Sequence, residues 1–185
     1  MKGPAFRPPI VLTILLLTTC CTLFLAGCIG TAPYQAREVG SGDAWKTIEL
    51  RDVQTGEVFS VASFSGTPVI LYTFTISCPI CTLQQKEISA IKRELGDSIA
   101  VIGLDIDPKE EAAALKDHIR RNGFSGYYAI SPPGMTQSLV DRFGPRVVTP
   151  ASAPVMVICP GGDARLLETG IKTSAQLSSL IRAVC

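Results

Sequence analysis

The sequence predicts an α/β fold in which a mixed β-sheet, preceded by a β-hairpin, is flanked by helices. Two runs, residues 69–75 and 99–106, are apolar on both faces, as expected for central strands covered by helices on both sides. Segments with helical spacing of their apolar residues follow both runs. Residues 155–159 and 165–169 flank a Pro-Gly-Gly-Asp turn and form an antiparallel pair at the sheet edge. Together these features predict a parallel unit with an antiparallel edge.

The predicted elements follow one another as hairpin, strand, helix, strand, helix, helix, strand, strand, helix. The hairpin pairs residues 45–50 with residues 56–61 across a turn. The first long helix begins at a Cys-Pro-Ile-Cys run and ends at Gly96. Asp107, Pro108 and Glu110 supply an N-cap, a first-turn proline and a capping-box glutamate for the second helix, which ends near residue 122. The last two helices cover residues 135–143 and 174–184.

Composition indicates one globular domain. The chain has 185 residues, of which 46% are hydrophobic, and a formal net charge of +1, so it can bury a substantial core. Its 17 Lys and Arg residues form no run and no stripe interleaved with aromatic residues. This excludes nucleic acid as an expected partner.

The first 27 residues are predicted to be a lipoprotein signal peptide. Two basic residues precede an uncharged stretch, residues 10–25, that is shorter than a comfortable membrane span, although a short uncleaved anchor is an alternative. The following Leu-Ala-Gly-Cys run resembles the lipobox of bacterial-type lipoproteins, in which the cysteine, here Cys28, is acylated and becomes the new N-terminus. We therefore expect a lipid-anchored, extracytoplasmic protein with a flexible spacer over residues 28–43 and a domain over residues 44–185.

The Cys78-Pro79-Ile80-Cys81 run carries the predicted chemistry. At a helix start, the first sulfur lies beside unpaired N–H groups and the positive end of the helix dipole, which stabilise a thiolate. Cys78 is therefore the expected nucleophile and Cys81 the resolving thiol. A zinc site needs further ligands at matching spacing, and a disulfide that closes so short a loop stabilises little. The pair is thus predicted to be a redox-active disulfide that needs no metal and no other cofactor.

From residue 45 onward the sequence resembles the thioredoxin superfamily, specifically its extracytoplasmic TlpA-like or redoxin branch. The matching features are a Gly-Thr-Pro-Val run before the first central strand, the Ser-Cys-Pro-Ile-Cys run, Asp-Ile-Asp at the end of the second strand, Phe-Gly at residues 143–144, and Ala-Pro before an apolar strand. The resemblance implies a thioredoxin-like fold. It also implies that Pro154 is a cis-proline facing the cysteine pair, and that the Ala153 backbone is free to pair with a substrate chain.

The sequence departs from that branch at several positions. Gln84 stands where TlpA-like proteins often carry a glutamate, so a usual proton-handling carboxylate is missing. Glu87, Asp105 and Asp107 are conceivable substitutes, although solvation and helix capping explain them at least as well. Residues 145–152 lengthen the approach to Pro154, which either shapes the partner groove or is a neutral insertion.

Two further cysteines follow the redox pair, and the sequence contains a single histidine. Cys159 ends a strand, and two reversals of the chain should bring Cys185 to the same end of the sheet, so a structural disulfide between them is plausible. Two unpaired thiols are the alternative. His118 lies near basic residues in the second helix and is interpreted as a surface side chain.

The predicted function is that of a membrane-anchored thiol–disulfide oxidoreductase that acts as the reductant for extracytoplasmic protein thiols, which it keeps in the reduced form, and is supplied by a membrane electron donor. A Sco-like copper chaperone is one alternative, although its Cys-x-x-x-Cys spacing and late histidine are not found. A peroxiredoxin-like peroxidase is another, although the Pro-x-x-x-Thr-x-x-Cys arrangement is incomplete before Cys78. A redox-inert binding module is the third, and the presence of both cysteines argues against it.

Overall fold

The structure is a computed structural model that describes residues 42–185. The strands in chain order are β1 (Leu50–Arg51), β2 (Val58–Phe59), β3 (Val69–Phe74), β4 (Ala100–Asp105), β5 (Tyr127–Ile130), β6 (Val155–Ile158) and β7 (Ala164–Leu166). The α-helices are α1 (Pro79–Leu95), α2 (Ala112–Asn122), α3 (Pro133–Phe143) and α4 (Ser174–Val184). The predicted lipid-anchor cysteine, Cys28, and the signal peptide lie outside the described residues.

A five-stranded mixed sheet with the order β5-β4-β3-β6-β7 organises the domain. β3, β4 and β5 are parallel, whereas β6 is antiparallel to β3 and β7 is antiparallel to β6. β1 and β2 form the separate antiparallel hairpin. The predicted α/β class, with helices around a mixed sheet and an N-terminal hairpin, is confirmed.

Side chains of β3 alternate between two hydrophobic cores, one on each face of the sheet. Ile70, Tyr72 and Phe74 point to the core that α1, α2 and α4 cover, whereas Val69 and Leu71 point to the core that α3 covers. Since every residue of β3 is buried, the strand has no solvent-facing side. Its continuous apolar sequence follows from this double burial.

Three local predictions were wrong. Trp45 lies in a 3₁₀ turn, Ala44–Thr47, and packs edge-on against Phe143, so the first strand is shorter than expected. β5 was not predicted because its four residues lie between two turn-rich segments. The second helix starts at residue 112 because Asp107 accepts a bond from the Lys109 N–H and closes a turn instead of capping a helix.

Gly103 in β4 has no side chain, and two core tyrosines occupy the space that a side chain would fill. A Cβ at this position would lie 2.7 Å from the Tyr72 hydroxyl oxygen and 2.8 Å from ring carbons of Tyr128. Gly103→Ala should therefore lower the free energy of unfolding by about 1–3 kcal/mol, because the surrounding core is fully packed. Urea denaturation measures this change. Gly134→Ala is the control: a Cβ there meets nothing within 4 Å, so a comparable loss in that variant would contradict the steric explanation.

Candidate functional site

The cysteine pair lies where β3 ends and α1 begins. Cys78 is the N-cap residue of α1, and its Sγ accepts a hydrogen bond from the Cys81 N–H at 3.2 Å. The Cys78 N–H in turn donates to the Thr75 carbonyl, which closes the connection between strand and helix. Pro79 occupies the first helical turn, where its missing N–H costs nothing. The expected helix-start position of the pair is thus what the structure shows.

The two sulfurs differ in access to solvent. Cys78 is half-buried, whereas Cys81 is 2% exposed and lies on the buried face of α1, within the core. They form a disulfide with a Cα–Cα distance of 5.3 Å. A partner sulfur can therefore approach Cys78 but not Cys81. This asymmetry fits a nucleophile and a resolving thiol, because the resolving attack is intramolecular and needs no access from outside.

The lengthened segment over residues 145–152 forms the second side of the site. It folds into two 3₁₀ turns, Pro145–Val148 and Pro150–Ser152. Val147 is completely buried and its carbonyl accepts a bond from the Thr73 hydroxyl on β3. The Pro150 carbonyl oxygen lies 3.3 Å from Cys81 Sγ. The segment therefore contacts the redox pair directly.

Ala153 and Pro154 differ from what the family resemblance implies. The Ala153–Pro154 peptide bond is trans, and Ala153 has a left-handed backbone with φ of 50°. Its N–H donates to the Pro150 carbonyl, and its carbonyl accepts from Lys172 Nζ. Both residues are buried. The N–H and the carbonyl of Ala153 thus both form hydrogen bonds within the protein. They do so because Ala153 connects the 3₁₀ turn to β6.

The side-chain amide of Gln84 forms two hydrogen bonds beneath the site. Its side chain accepts from the Lys172 N–H at 2.7 Å and donates to the Lys172 carbonyl at 3.1 Å. A glutamate here could not make the second bond, so the amide fits this site better than the carboxylate. Sequence reasoning noted Gln84 but missed Pro150 and Lys172, since a lone proline and a lone lysine in loops carry no recognisable pattern.

Glu87, Asp105 and Asp107 are the three carboxylates that the sequence suggests as substitutes for the missing proton-handling glutamate. Glu87 accepts a bond from the Ser174 N–H at the start of α4, and Asp107 closes the turn described above. Asp105, at the end of β4, is completely buried, and one of its oxygens has no hydrogen-bond partner. Burial raises the pKa of Asp105 to about 6. None of the three forms a hydrogen bond to either redox cysteine within residues 42–185.

His118 is buried, not at the surface as expected. Its ring lies 2.9 Å from the Gln85 side-chain oxygen and stacks on Phe74. Only 6% of the residue is exposed, and burial lowers the pKa of its imidazole. Spacing within α2 explains the error, because His118 follows Leu115 by three residues and so shares its inward face.

Cys159 and Cys185 are joined by a disulfide with a Cα–Cα distance of 5.2 Å. The bridge ties the end of β6 to the end of α4. Within residues 42–185, no cluster of three or more His, Cys, Asp or Glu side chains could hold a metal ion. In the same part of the chain, no helix combines the length and apolar character that crossing a membrane requires.

This fold and the cysteine pair at the start of α1 define a thioredoxin-like domain. The AhpC/TSA family matches residues 41–132 of the chain, which supports a place in the thioredoxin superfamily. A comparison with curated proteins finds no match.

Several solved structures share the fold. A secreted disulfide oxidoreductase of Mycobacterium tuberculosis, described as homologous to E. coli DsbE, has a TM-score of 0.62 at 15% identity, over 77% of this chain and 99% of that one. A thioredoxin-family thiol:disulfide interchange protein of Chlorobium tepidum has a TM-score of 0.64 at 17% identity, over 74% and 91%. An exposed lipoprotein thioredoxin of Streptococcus pneumoniae has a TM-score of 0.58 at 18% identity, over 74% and 98%.

The raised pKa of Asp105 predicts a pH dependence of stability. The folded chain holds this proton up to about pH 6, whereas the unfolded chain releases it near 3.8. The free energy of unfolding should therefore fall as pH rises from about 4 to 6, by up to about 3 kcal/mol. Asp105→Asn removes this loss and should be the more stable protein at pH 7.

Urea denaturation of both proteins between pH 4 and 7 measures the effect. His118 is present in both, so the difference between the two curves isolates Asp105. A difference that does not change with pH would show that Asp105 ionises normally in the folded protein.

Proposed function

We propose that the protein is a lipid-anchored, extracytoplasmic thiol–disulfide oxidoreductase that reduces disulfides of partner proteins. The observation that carries this proposal is the asymmetric pair at the start of α1. Cys78 is half-buried and its Sγ accepts a backbone N–H bond, whereas Cys81 is buried one turn further along. The N–H bond and the helix dipole both favour a thiolate at Cys78.

The exchange has two steps. In the reduced protein, the Cys78 thiolate attacks one sulfur of a partner disulfide, so that an intermolecular S–S bond forms and the second partner sulfur leaves as a thiolate. Cys81 then loses its proton and attacks Cys78 Sγ, which releases the first partner sulfur and forms the intramolecular disulfide. Two electrons pass from the cysteine pair to the partner. One partner thiolate takes up the proton that Cys81 loses, and the other is protonated by solvent, which received the proton of Cys78 when its thiolate formed. A membrane electron donor would then restore the dithiol.

Exposed apolar side chains around the pair support a protein partner. Five large apolar residues of the described chain are exposed, and two of them, Ile80 and Leu83, lie on the first two turns of α1, which carry the cysteines. Ile80 stands between the cysteines and Leu83 lies on the next turn of α1. Exposed apolar side chains beside a reactive sulfur favour docking of an unfolded or flexible chain over that of a small polar thiol.

The proposed location rests on the N-terminal sequence, where Cys28 ends a lipobox-like run after an uncharged stretch. The Cys159–Cys185 bridge is consistent with it, because such structural disulfides persist mainly in oxidising compartments. Two of the structural neighbours are described as secreted or as an exposed lipoprotein. A membrane anchor would hold the domain close to a membrane electron donor.

The first test is the reduction potential of the pair in the detergent-solubilised full-length protein. Equilibration with glutathione or dithiothreitol, followed by alkylation of free thiols, should give a value near thioredoxin's, about −270 mV. A value near DsbA's, about −120 mV, would instead indicate a disulfide donor. Failure of the pair to cycle would overturn the proposal.

Variants assign the two roles. Cys81→Ser should trap partners as mixed disulfides on Cys78, because the resolving sulfur is missing, whereas Cys78→Ser should trap none. Non-reducing electrophoresis after alkylation shows these adducts. The Cys159→Ser/Cys185→Ser double variant is the matched control and should exchange like the wild type, since that bridge lies away from the helix start. Peroxide consumption by the same preparation tests the peroxiredoxin-like alternative.

Lipidation is tested by metabolic labelling with an alkyne-tagged fatty acid. The wild-type protein should incorporate the label and Cys28→Ser should not, because Cys28 provides the acylated sulfur. Cys20→Ser and Cys21→Ser are matched controls within the same N-terminal stretch and should label normally. Undiminished labelling of Cys28→Ser would contradict the lipid anchor.

A further inference from the structure

A buried lysine lies behind the redox pair. Lys172 is in the loop between β7 and α4 and is 6% exposed. Its ammonium group donates to the Ala153 carbonyl at 2.7 Å. No carboxylate of residues 42–185 forms an ion pair with it. A buried cation held mainly by a neutral carbonyl is costly, so its presence calls for an explanation other than stability.

The lysine loop is fixed to α1. Gln84, which is 2% exposed and follows Cys81 by three residues, bonds both the N–H and the carbonyl of Lys172. The position of the ammonium group is thus set from the helix that carries the cysteines. Neither bond depends on the charge of the lysine, so a substitution of its side chain should leave the loop in place.

A short chain of contacts leads from this lysine to the buried sulfur. Lys172 Nζ bonds the Ala153 carbonyl, and the Ala153 N–H donates to the Pro150 carbonyl at 2.9 Å. The same Pro150 oxygen lies 3.3 Å from Cys81 Sγ. One 3₁₀ turn therefore separates the ammonium group from the resolving cysteine. In the dithiol form, the Cys81 thiol can donate to that carbonyl.

We propose that Lys172 is a positioning residue for Cys81, which holds the 150–153 turn against the sulfur and supplies the positive charge that stabilises the Cys81 thiolate. The inference rests on the proposed function, because it concerns the resolving step of that exchange. A positive charge acts on the thiolate of the reduced pair and not on the neutral disulfide. It therefore raises the fraction of Cys81 that is ionised and can attack the mixed disulfide.

The charged groups around Lys172 are consistent with this role. Burial lowers the pKa of Lys172 to about 8, and Glu168 opposes that shift. The ammonium form therefore still predominates at neutral pH. Gln84, where a carboxylate occurs in the branch that the sequence resembles, adds no negative charge that would cancel it.

The test compares Lys172→Met, which keeps the length of the side chain and removes the charge, with Lys172→Arg, which keeps the charge. In the full-length protein, the rate at which a mixed disulfide on Cys78 is resolved should fall about threefold to tenfold in Lys172→Met, because a smaller fraction of Cys81 is ionised. Lys172→Arg should stay within about twofold of the wild type, because its guanidinium remains charged.

Lys92→Met is the matched control. Lys92 Nζ also donates to backbone carbonyls, those of Gly96 and Ile99, but at the far end of α1. This variant should leave the rate of mixed-disulfide resolution unchanged. If Lys172→Met does not fold, Lys172→Gln gives the neutral comparison with a side chain that can still donate to Ala153.

The outcomes separate the inference from the proposed function. A wild-type pair that cycles while the neutral Lys172 variants match it would overturn the role of Lys172 alone. A shift in Lys172→Arg as large as that in Lys172→Met would also overturn it, because charge would not be the cause. A wild-type pair that does not cycle would overturn the proposed function, and this inference with it.

Discussion

The position of Cys78 depends on the hydrogen bonding of β3. This strand lies between β4 and β6 and is bonded to both over most of its length. Its side chains enter the cores on both faces of the sheet, so neither core can repack without disturbing it. Since the strand cannot shift, the turn after Phe74 and the first turn of α1 have a fixed starting point. The Cys81 N–H in the first turn of α1 is thereby aimed at the Cys78 sulfur, and the thiolate needs no rearrangement to be stabilised.

The environment of Cys81 is instead set by segments that lie far from it in the sequence. The turn at Pro150 reaches its sulfur, and the loop at Lys172 holds that turn through Ala153. Gln84, on α1, bonds to the Lys172 loop and so connects these segments to the helix that carries the cysteines. The two cysteines therefore have separate electrostatic environments, although three residues separate them in sequence. Reactivity at Cys78 is set locally, whereas that of its partner depends on tertiary structure.

This difference explains how much of the protein its sequence could predict. Patterns within a few residues of one another, such as the continuous apolar strands and the Cys-x-x-Cys run at a helix start, predicted the fold class and the reacting pair. Interactions that depend on distant segments could not be predicted in this way. The carbonyl of Pro150 and the ammonium group of Lys172 act through backbone geometry 69 or more residues away from Cys81, and a pattern search detects side-chain types, not carbonyl positions.

The errors at single residues have the same physical origin. His118 has basic neighbours in sequence, which suggested exposure, but its position one turn after Leu115 places it in the core beside Gln85. At Ala153, the resemblance to known families implied a free backbone, whereas a local 3₁₀ turn and the buried lysine use both of its polar groups. In both cases the local sequence was interpreted correctly as a helix or a loop. What it could not supply was the partner on another element.

The two disulfides also have different roles, one reactive and one structural, as redox cycling requires. The 78–81 pair spans a sequence separation of 3, so opening it adds little freedom to the unfolded chain and should cost little stability. The 159–185 pair spans 26 and joins a strand end to the C-terminal helix, where a cross-link constrains the unfolded chain much more. The fold can therefore persist while the first pair opens and closes.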